Sequence, residues 1–269
     1  MEAEKYNILG KELEEILILR YSPIALKILY EGDIIPEDTI RPFKDRGDRL
    51  SMCQATALVR RNRNALTMLK EDHWCVWPLV SYKMVELDED DCEYMGTKFF
   101  MSDPERSKRY LREEYPMLKT DKAVVGLSMA PLRSANFEPD LVLIYCRPAQ
   151  LRSIMMAAKY FSGEMIKVAL DPVDSCVHST IPVLNGQDYN VTIPDPGEYE
   201  RGMTDEDEVM FTMKAQKTDD IVKALKILSS ANFGYREMAM DMPMNFARPE
   251  FYNVMFKKWG LESGEVWKK

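Results

Sequence analysis

The sequence lacks the features that would place the protein in a membrane or in the secretory pathway. No apolar run approaches the ~18 residues of a membrane span, and residues 1–5 show no secretory pattern. Basic residues are too few for a general nucleic-acid binder, because 36 Lys and Arg stand against 44 Asp and Glu, a formal net charge of −8. We therefore predict a cytoplasmic protein whose partners include neither a membrane nor a nucleic acid.

The residues that several common catalytic motifs need are also scarce. The chain has 12 glycines and two histidines, and it contains neither of the glycine-rich motifs that bind nucleotide phosphates, Gly-x-Gly-x-x-Gly and Gly-x-x-x-x-Gly-Lys-Ser/Thr. It also lacks His-Glu-x-x-His, Gly-x-Ser-x-Gly and closely spaced Cys-x-x-Cys pairs. The sequence thus gives no support to a nucleotide-binding loop, a zinc protease, the nucleophile elbow of a hydrolase or a zinc ribbon.

The composition nevertheless supports a sizeable folded core. Hydrophobic residues make up 46% of the chain and charged residues 30%, which is typical of an ordered globular domain. Short apolar runs alternate with segments of helical periodicity, so we predict a single α/β (or α+β) domain with a mixed, largely buried sheet flanked by helices. The predicted strands are residues 24–30, 123–127, 141–146, 166–170, 189–193 and 209–213. The predicted helices are residues 6–19, 219–228 and 250–259, a helix capped by Ser51 and a helix that begins at Pro148. Thr218 is predicted to be the N-cap of the helix at residues 219–228.

The C-terminal residues differ in character from the rest of the chain. Residues 1–230 are predicted to form the domain, whereas residues 231–269 form an extension rich in methionine and aromatic residues. Left uncovered, such a segment would present more apolar surface than monomers usually tolerate. It therefore packs on the domain or on a neighbouring subunit, and we favour the second arrangement, which predicts a homo-oligomer. Its alternating methionines fit adaptable packing better than copper(I) binding: Met238, Met240, Met242 and Met244.

Cysteine is the residue type that points most directly to chemistry. The chain has five cysteines, an odd number, and no export signal, so metal binding, catalysis or burial is expected instead of disulfide bonds. Cys146 ends an apolar strand and is predicted to be core, while Cys92 follows an acidic run and is predicted to lie in a surface loop. The spacing of the others makes Cys75 and Cys176 candidates for a site, and Cys53 is predicted to lie in the first turn of the helix capped by Ser51.

Both histidines lie two residues from one of these candidate cysteines. His73 precedes Cys75 and His178 follows Cys176, and in an extended backbone each pair would point to one face of a strand. Thiolate and imidazole are donors that suit zinc or an iron–sulfur cluster, although cysteine is also among the most frequently buried residue types. The spacing alone leaves a metal site and simple burial equally open.

Three charged segments are predicted to be solvent-exposed. Residues 60–63, Arg-Arg-Asn-Arg, are typical of an exposed helix end, with contact to an anionic substrate as the alternative. The acidic runs 88–91 and 205–208 lack the glycine and the spaced ligands of a calcium loop. We therefore predict that these acidic runs are solvated surface.

From Leu19 to Leu228 the sequence resembles domain-of-unknown-function family 169, an archaeal and bacterial family. The similarity includes a strand with the sequence Ser-Pro-Ile-Ala-Leu-Lys at residues 22–27 and a cysteine that opens a helix, Cys53. The family usually has glycines directly after its second cysteine, whereas Cys75 is followed here by Val-Trp-Pro, so the pocket beside Cys75 is expected to be reshaped. The other matching segments are residues 72–75, 138–143, 147–150, Cys176, 195–198 and 208–211.

The resemblance implies that Cys53, Cys75 and Cys176 are the shared functional feature. From three thiolates we infer a 4Fe–4S cluster with one iron open to a substrate or to a fourth ligand, in a protein of anaerobic metabolism that acts on a small molecule or serves a redox partner. Trp74 and Trp77 would shield this cluster from water, and ordinary packing of these aromatic side chains in the core is an equally good interpretation.

Two other functions remain open at this point. One is a metal-stabilised binding or assembly protein without turnover, including a protein with a single zinc held by Cys53, Cys75, Cys176 and His178. The other is an enzyme with a nucleophilic cysteine, which would need His73 or His178 as its base.

Overall fold

Six apolar segments pair into one sheet in the computed structural model of the protein, which describes residues 2–97, 101–168, 170–236 and 249–261. The strands are β1 (Ile24–Tyr30), β2 (Leu66–Leu69), β3 (Val124–Pro131), β4 (Leu141–Cys146), β5 (Tyr189–Thr192) and β6 (Val209–Lys214). Their order across the sheet is β2-β3-β1-β4-β6-β5. All pairings between these neighbours are antiparallel, so the predicted mixed sheet is wrong in this detail, because local patterns do not encode strand direction.

Helices fill most of the chain between the strands. They are α1 (Glu2–Leu17), α2 (Pro42–Arg46), α3 (Met52–Asn62), α4 (Val76–Ser81), α5 (Glu89–Gly96), α6 (Pro104–Glu113), α7 (Pro148–Tyr160), α8 (Ser175–Leu184), α9 (Pro196–Glu200), α10 (Thr218–Ser230) and α11 (Glu250–Lys258). The α/β class with a largely buried sheet flanked by helices is confirmed.

The two faces of the sheet carry separate hydrophobic cores. Residues of α3, α6 and α8 pack on one face, and residues of α1, α7 and α10 pack on the other. Successive residues of a strand point to opposite faces, so Leu26 of β1 joins the first core and Ala25 joins the second. Because helices cover both faces, the strands read as nearly continuous apolar runs. Cys146 lies in the second core, as predicted, and Cys176 lies in the first.

Local sequence signals locate some elements to the residue and misplace others. Pro148 begins α7 as predicted, because its fixed φ suits the first helical position. Residues 166–168 and 170 form no strand; Ile166 contacts the second core from a loop instead. Thr218 is the first residue of α10 and not its cap, since a 3-10 turn leads directly into the helix. Cys92 lies in α5 and not in a loop, because the Asp88 side chain caps that helix.

The chain divides into two compact units, Met1–Tyr235 and Arg236–Lys269. The first contains the whole sheet. The second contains α11, and Gly260, which follows the end of this helix, has a left-handed conformation with φ 68°. The predicted methionine stripe, Met238 to Met244, lies outside the described residues, and the homo-oligomer stays a prediction. Within the described parts of the chain, every helix is too short or too polar to cross a lipid bilayer.

Candidate functional site

Cys53 lies in the first turn of α3, as the sequence predicts. Ser51 Oγ accepts a hydrogen bond from the Gln54 backbone N–H (3.2 Å), and Gln54 Oε1 accepts one in return from the Ser51 N–H (2.9 Å). This capping box fixes where α3 begins. Cys53 is buried and lies at the helix end whose partial positive charge favours an anion.

Cys176 lies in the first turn of α8 and is also buried. The extended backbone that would put Cys176 and His178 on one face is therefore not what this segment adopts. Nearly all of α8 is buried, and this tertiary packing overrides the preference of its β-branched residues for a strand. Interaction with the Cys53 thiol, together with burial, raises the pKa of Cys176 well above its usual value, so the two thiols are neighbours.

Cys75 directly precedes α4 and is half-buried, which makes it the most accessible of the three candidates. Burial raises the pKa of its thiol to about 11. Smaller effects on this pKa come from the charges of Asp174 and Cys53, which raise it, and of Arg201, which lowers it. These groups therefore lie within electrostatic reach of Cys75.

The three candidate cysteines thus gather in one region although they come from distant parts of the chain. Cys53 acts on the other two, because its thiol raises the pKa of Cys176 and its charge raises the pKa of Cys75. Each one opens a helix or directly precedes one. Across the residues that the structure describes, no three His, Cys, Asp or Glu side chains are arranged around the position of a single metal ion. That these thiols share a metal centre stays a prediction.

The two histidines have different surroundings. His178 Nε2 lies 3.0 Å from the hydroxyl of Tyr110, which donates to Asp171 Oδ2 at 2.8 Å, and burial lowers the pKa of His178. His73 is buried, and burial lowers its pKa to about 4. Neither ring nitrogen of His73 has a hydrogen-bond partner within the described chain. The described contacts engage His178 with Tyr110 and not with a cysteine.

Asp174 is a site residue that the sequence analysis missed. It precedes α8 with φ 48° and ψ 50°, a left-handed conformation of the kind that concentrates at functional sites. Burial raises the pKa of Asp174 to about 7, although a hydrogen bond from the Tyr115 hydroxyl to Oδ2 (3.1 Å) lowers it. A carboxyl group that titrates near neutrality beside Cys75 can hold or accept a proton there. The local sequence carries no motif that would have revealed this position.

The predicted exposed helix end at residues 60–63 is wrong for its first member. The Arg60 side chain is fully buried, and its Nη1 donates to Glu208 Oε2 at 3.0 Å. Its Nη2 donates to Thr204 Oγ1 (3.0 Å) and to the carbonyl of Gly202 (3.2 Å). Glu208 is consequently not solvated surface either. Arg60 lies seven residues after Cys53, hence on the same face of α3, and this spacing is the one sequence signal of its burial.

A second buried carboxylate, Glu198, lies in the same region. Its Oε1 accepts from the Tyr145 hydroxyl (2.9 Å) and its Oε2 accepts from Thr204 (2.8 Å). Burial raises the pKa of Glu198 to about 7, and the two hydrogen bonds and the charge of Arg60 lower it in part. Below pH 4.5, the ordinary pKa of a glutamate, Glu198 is protonated in the folded and in the unfolded chain. Between pH 4.5 and 7 the unfolded chain releases this proton, whereas the folded chain keeps it. Stability associated with Glu198 is therefore lost as the pH rises towards 7.

We expect Glu198→Gln to remove this pH dependence. The free energy of unfolding of the wild type, relative to the variant, should fall by about 2 kcal/mol between pH 4.5 and 7, since one proton contributes at most about 1.4 kcal/mol per pH unit. Urea unfolding at a series of pH values measures this difference. Glu200→Gln, an exposed position on the same helix, is the control and should follow the wild-type profile. Parallel profiles for wild type and Glu198→Gln would contradict the assignment.

A surface cleft of about 500 Å³ lies away from the cysteines. It is bordered by the end of α7, the start of α10 and residues 186–189. Its lining includes Phe161, Met165 and the ion pair of Lys217 with Asp188. None of its lining residues is a cysteine or a histidine, so we place the candidate chemistry at the cysteines and not in this cleft.

Comparison with known proteins gives one match. A family model for domain-of-unknown-function family 169, described as uncharacterised ArCR, matches residues 12–224. No curated protein and no solved structure matches the chain. The matched range contains Cys53, Cys75 and Cys176 together with Asp174 and Glu198.

Proposed function

Since the chain belongs to domain-of-unknown-function family 169, we propose that Cys53, Cys75 and Cys176 hold the functional centre of this family fold, an iron–sulfur cluster of the 4Fe–4S type. The observation that carries the proposal is that the three cysteines lie near one another: the Cys53 thiol raises the pKa of Cys176, and its charge also raises that of Cys75. Three thiolates supply three of the four protein ligands that such a cluster takes and leave one iron open.

The chemistry of the donor set fits this cofactor. All three side chains are thiols, the soft donors that iron–sulfur clusters require. They belong to different helix starts, and Cys53 and Cys176 lie in the first turns of α3 and α8, at the ends of these helices that carry partial positive charge. Hydrogen bonds and helix dipoles of this kind stabilise an anionic cluster and tune its potential. The raised pKa values of Cys75 and Cys176 describe the metal-free thiols, whose protons metal binding would displace.

The same pKa values argue against a nucleophilic cysteine. A catalytic thiolate needs a lowered pKa or an adjacent base. Burial instead raises the pKa of Cys75 to about 11, while His178 is engaged by Tyr110. A metal centre therefore accounts for the cysteines better than covalent catalysis does.

When bound, the cluster would supply electron transfer or an open iron that acts as a Lewis acid. The chain's own residues would then act on a small molecule beside Cys75. Asp174 holds or accepts a proton at its carboxylate, and the Tyr115 hydroxyl orients that group through Oδ2. Trp77 is half-buried and packs on Tyr115, with ring centroids 5.6 Å apart, so it helps to exclude water on that side. The alternative is a metal-stabilised binding or assembly protein, in which Asp174 would have no role in turnover.

Anaerobic purification followed by metal analysis tests the proposal. We expect a brown protein with broad visible absorption that bleaches in air, and about four iron atoms and four sulfides per chain. About one zinc per colourless chain would support the zinc alternative. A chain that contains neither metal after anaerobic purification and after reconstitution with iron and sulfide would overturn the proposal.

A further inference from the structure

Arg201 stands at the point where the three cysteine segments meet. It directly follows α9, whose N-cap residue Asp195 accepts a hydrogen bond from the Ser175 N–H at the start of α8 (2.8 Å). The next residue, Gly202, lies so close to the Cys53 carbonyl that a Cβ added to it would be 3.2 Å from that oxygen. The Arg201 guanidinium lies over the ring of Trp74, the neighbour of Cys75, at 5.3 Å from the centroid. The Arg201 guanidinium therefore contacts the Cys75 segment, while its chain neighbours Asp195 and Gly202 lie against the Cys176 and Cys53 segments.

The guanidinium of Arg201 is poorly satisfied by the described protein groups. Its Nε is buried and has no hydrogen-bond partner there. Its recorded ion pair, with Glu200, is 3.6 Å long and involves a glutamate whose side chain is 70% exposed. Buried donors in native proteins are almost always paired, and the planar fork of arginine matches a carboxylate through two parallel hydrogen bonds. The side chain as a whole is 35% exposed, so a ligand from solvent would reach its Nη groups and not the enclosed Nε.

The surroundings of Arg201 face both the cysteines and solvent. Its positive charge acts on Cys75 and on Asp174, so its head group is near the proposed reacting centre. Trp74 is 59% exposed and so is not a core residue, and its ring offers an apolar surface beside the charge. Trp74 and Arg201 together border the half-buried side of the cysteine region, where Cys75 lies.

We propose that Arg201 binds the carboxylate of a small organic acid at the entrance beside Cys75, while Trp74 packs against the apolar part of the same molecule. A small organic acid is thus the substrate class of the centre proposed above, and its role as a substrate rests on that proposed function. A carboxylate is favoured over a phosphate because Arg201 is one cation near the carboxylates of Asp195 and Glu200, and these charges repel a dianion more strongly than a monoanion.

Ligand binding to the full-length protein, purified anaerobically, tests this assignment. The probes are acetate, propionate and inorganic phosphate, measured by calorimetry or by ligand-detected magnetic resonance at pH 7. We expect both carboxylates to bind, propionate more tightly because of its extra apolar contact with Trp74, and phosphate to bind more weakly. Arg201→Gln should weaken carboxylate binding at least tenfold, and Arg201→Lys should weaken it less. Arg63→Gln, an exposed arginine at the end of α3, is the matched control and should bind as the wild type does.

Trp74→Ala provides a second test that leaves the charge in place. It should remove the preference for propionate over acetate while keeping acetate binding. If Arg201→Gln fails to fold, this variant still tests whether the acid binds beside Trp74. Equal carboxylate affinity in the wild type and in Arg201→Gln would overturn the assignment, as would phosphate binding tighter than that of either carboxylate. Absence of any carboxylate binding would also overturn it.

Metal content measured on the same samples separates the two proposals. Loss of carboxylate binding in Arg201→Gln with unchanged iron supports the carboxylate site. Loss of iron in this variant, restored in Arg201→Lys, would mean that Arg201 holds the cluster and would overturn its role in ligand binding. Arg201-dependent carboxylate binding in a wild-type protein without metal would leave this site standing while the proposed function falls.

Discussion

Replacement of Arg60 by methionine is expected to lower the free energy of unfolding by about 3–5 kcal/mol, the usual result of removing one partner of a buried ion pair. The Arg60 side chain is fully buried and that of Glu208 is 2% exposed, so the variant would leave a carboxylate in the interior without its cation. Methionine retains much of the volume and the flexibility of the arginine stem, and the loss would therefore report on charge and hydrogen bonding more than on a cavity.

Urea denaturation at pH 7 measures this change. Arg63→Met, at an exposed position at the end of the same helix, is the matched control and should change the free energy of unfolding by less than about 0.5 kcal/mol. The double variant Arg60→Met with Glu208→Leu should recover part of the loss, because it removes the orphaned charge as well. If Arg60→Met proved as mild as Arg63→Met, the buried ion pair would not contribute as its geometry indicates.

Conversion of Cys53, Cys75 and Cys176 to serine in one chain is expected to remove nearly all of the iron. A serine hydroxyl is a hard and weakly acidic donor and replaces a thiolate poorly in an iron–sulfur site. Iron and sulfide analysis and the visible spectrum of the anaerobically purified variant measure the loss. Cys92→Ser is the matched control, because Cys92 lies in α5 outside the cysteine region, and it should retain its iron.

A single substitution, Cys75→Ser, tests the same ligand assignment if the triple variant fails to fold. Cys75→Ser changes the half-buried position, so it should alter the spectrum and make the iron labile while the far-ultraviolet circular dichroism stays that of the wild type. Full iron content in a folded triple variant would place the metal elsewhere and would overturn the ligand assignment.

Elements with strong local signals could be predicted from the sequence. The strand at residues 24–30 and the one at 141–146 are apolar runs bounded by breaking residues, and the structure places both within the predicted bounds. Ser51 caps α3 because its hydroxyl and Gln54 complete a capping box within four residues. In each case the residues that determine the element lie inside it or next to it.

Elements that depend on distant residues could not be predicted. The β-branched residues of α8 and its internal Pro182 favour a strand or a break, yet burial on nearly all sides makes the segment helical. Arg60 belongs to a charged segment that is typical of a protein surface. In the folded chain it is buried and paired with Glu208, which lies far along the chain. The cysteines themselves were selected through the resemblance to the family, whereas Asp174 and Arg201 acquire their surroundings only in the folded chain.

The separation of Cys53 from Cys176 has a consequence for synthesis of the protein. About 120 residues lie between them, and Arg201 follows later still. At elongation rates of about 5–20 residues per second, Cys53 is added to the chain roughly 6–25 s before Cys176. Because β5 and β6 also follow Cys176, the sheet is incomplete throughout that interval. We expect cofactor delivery to be post-translational, with the early thiols of each nascent chain depending on a reducing environment until the last strands are made.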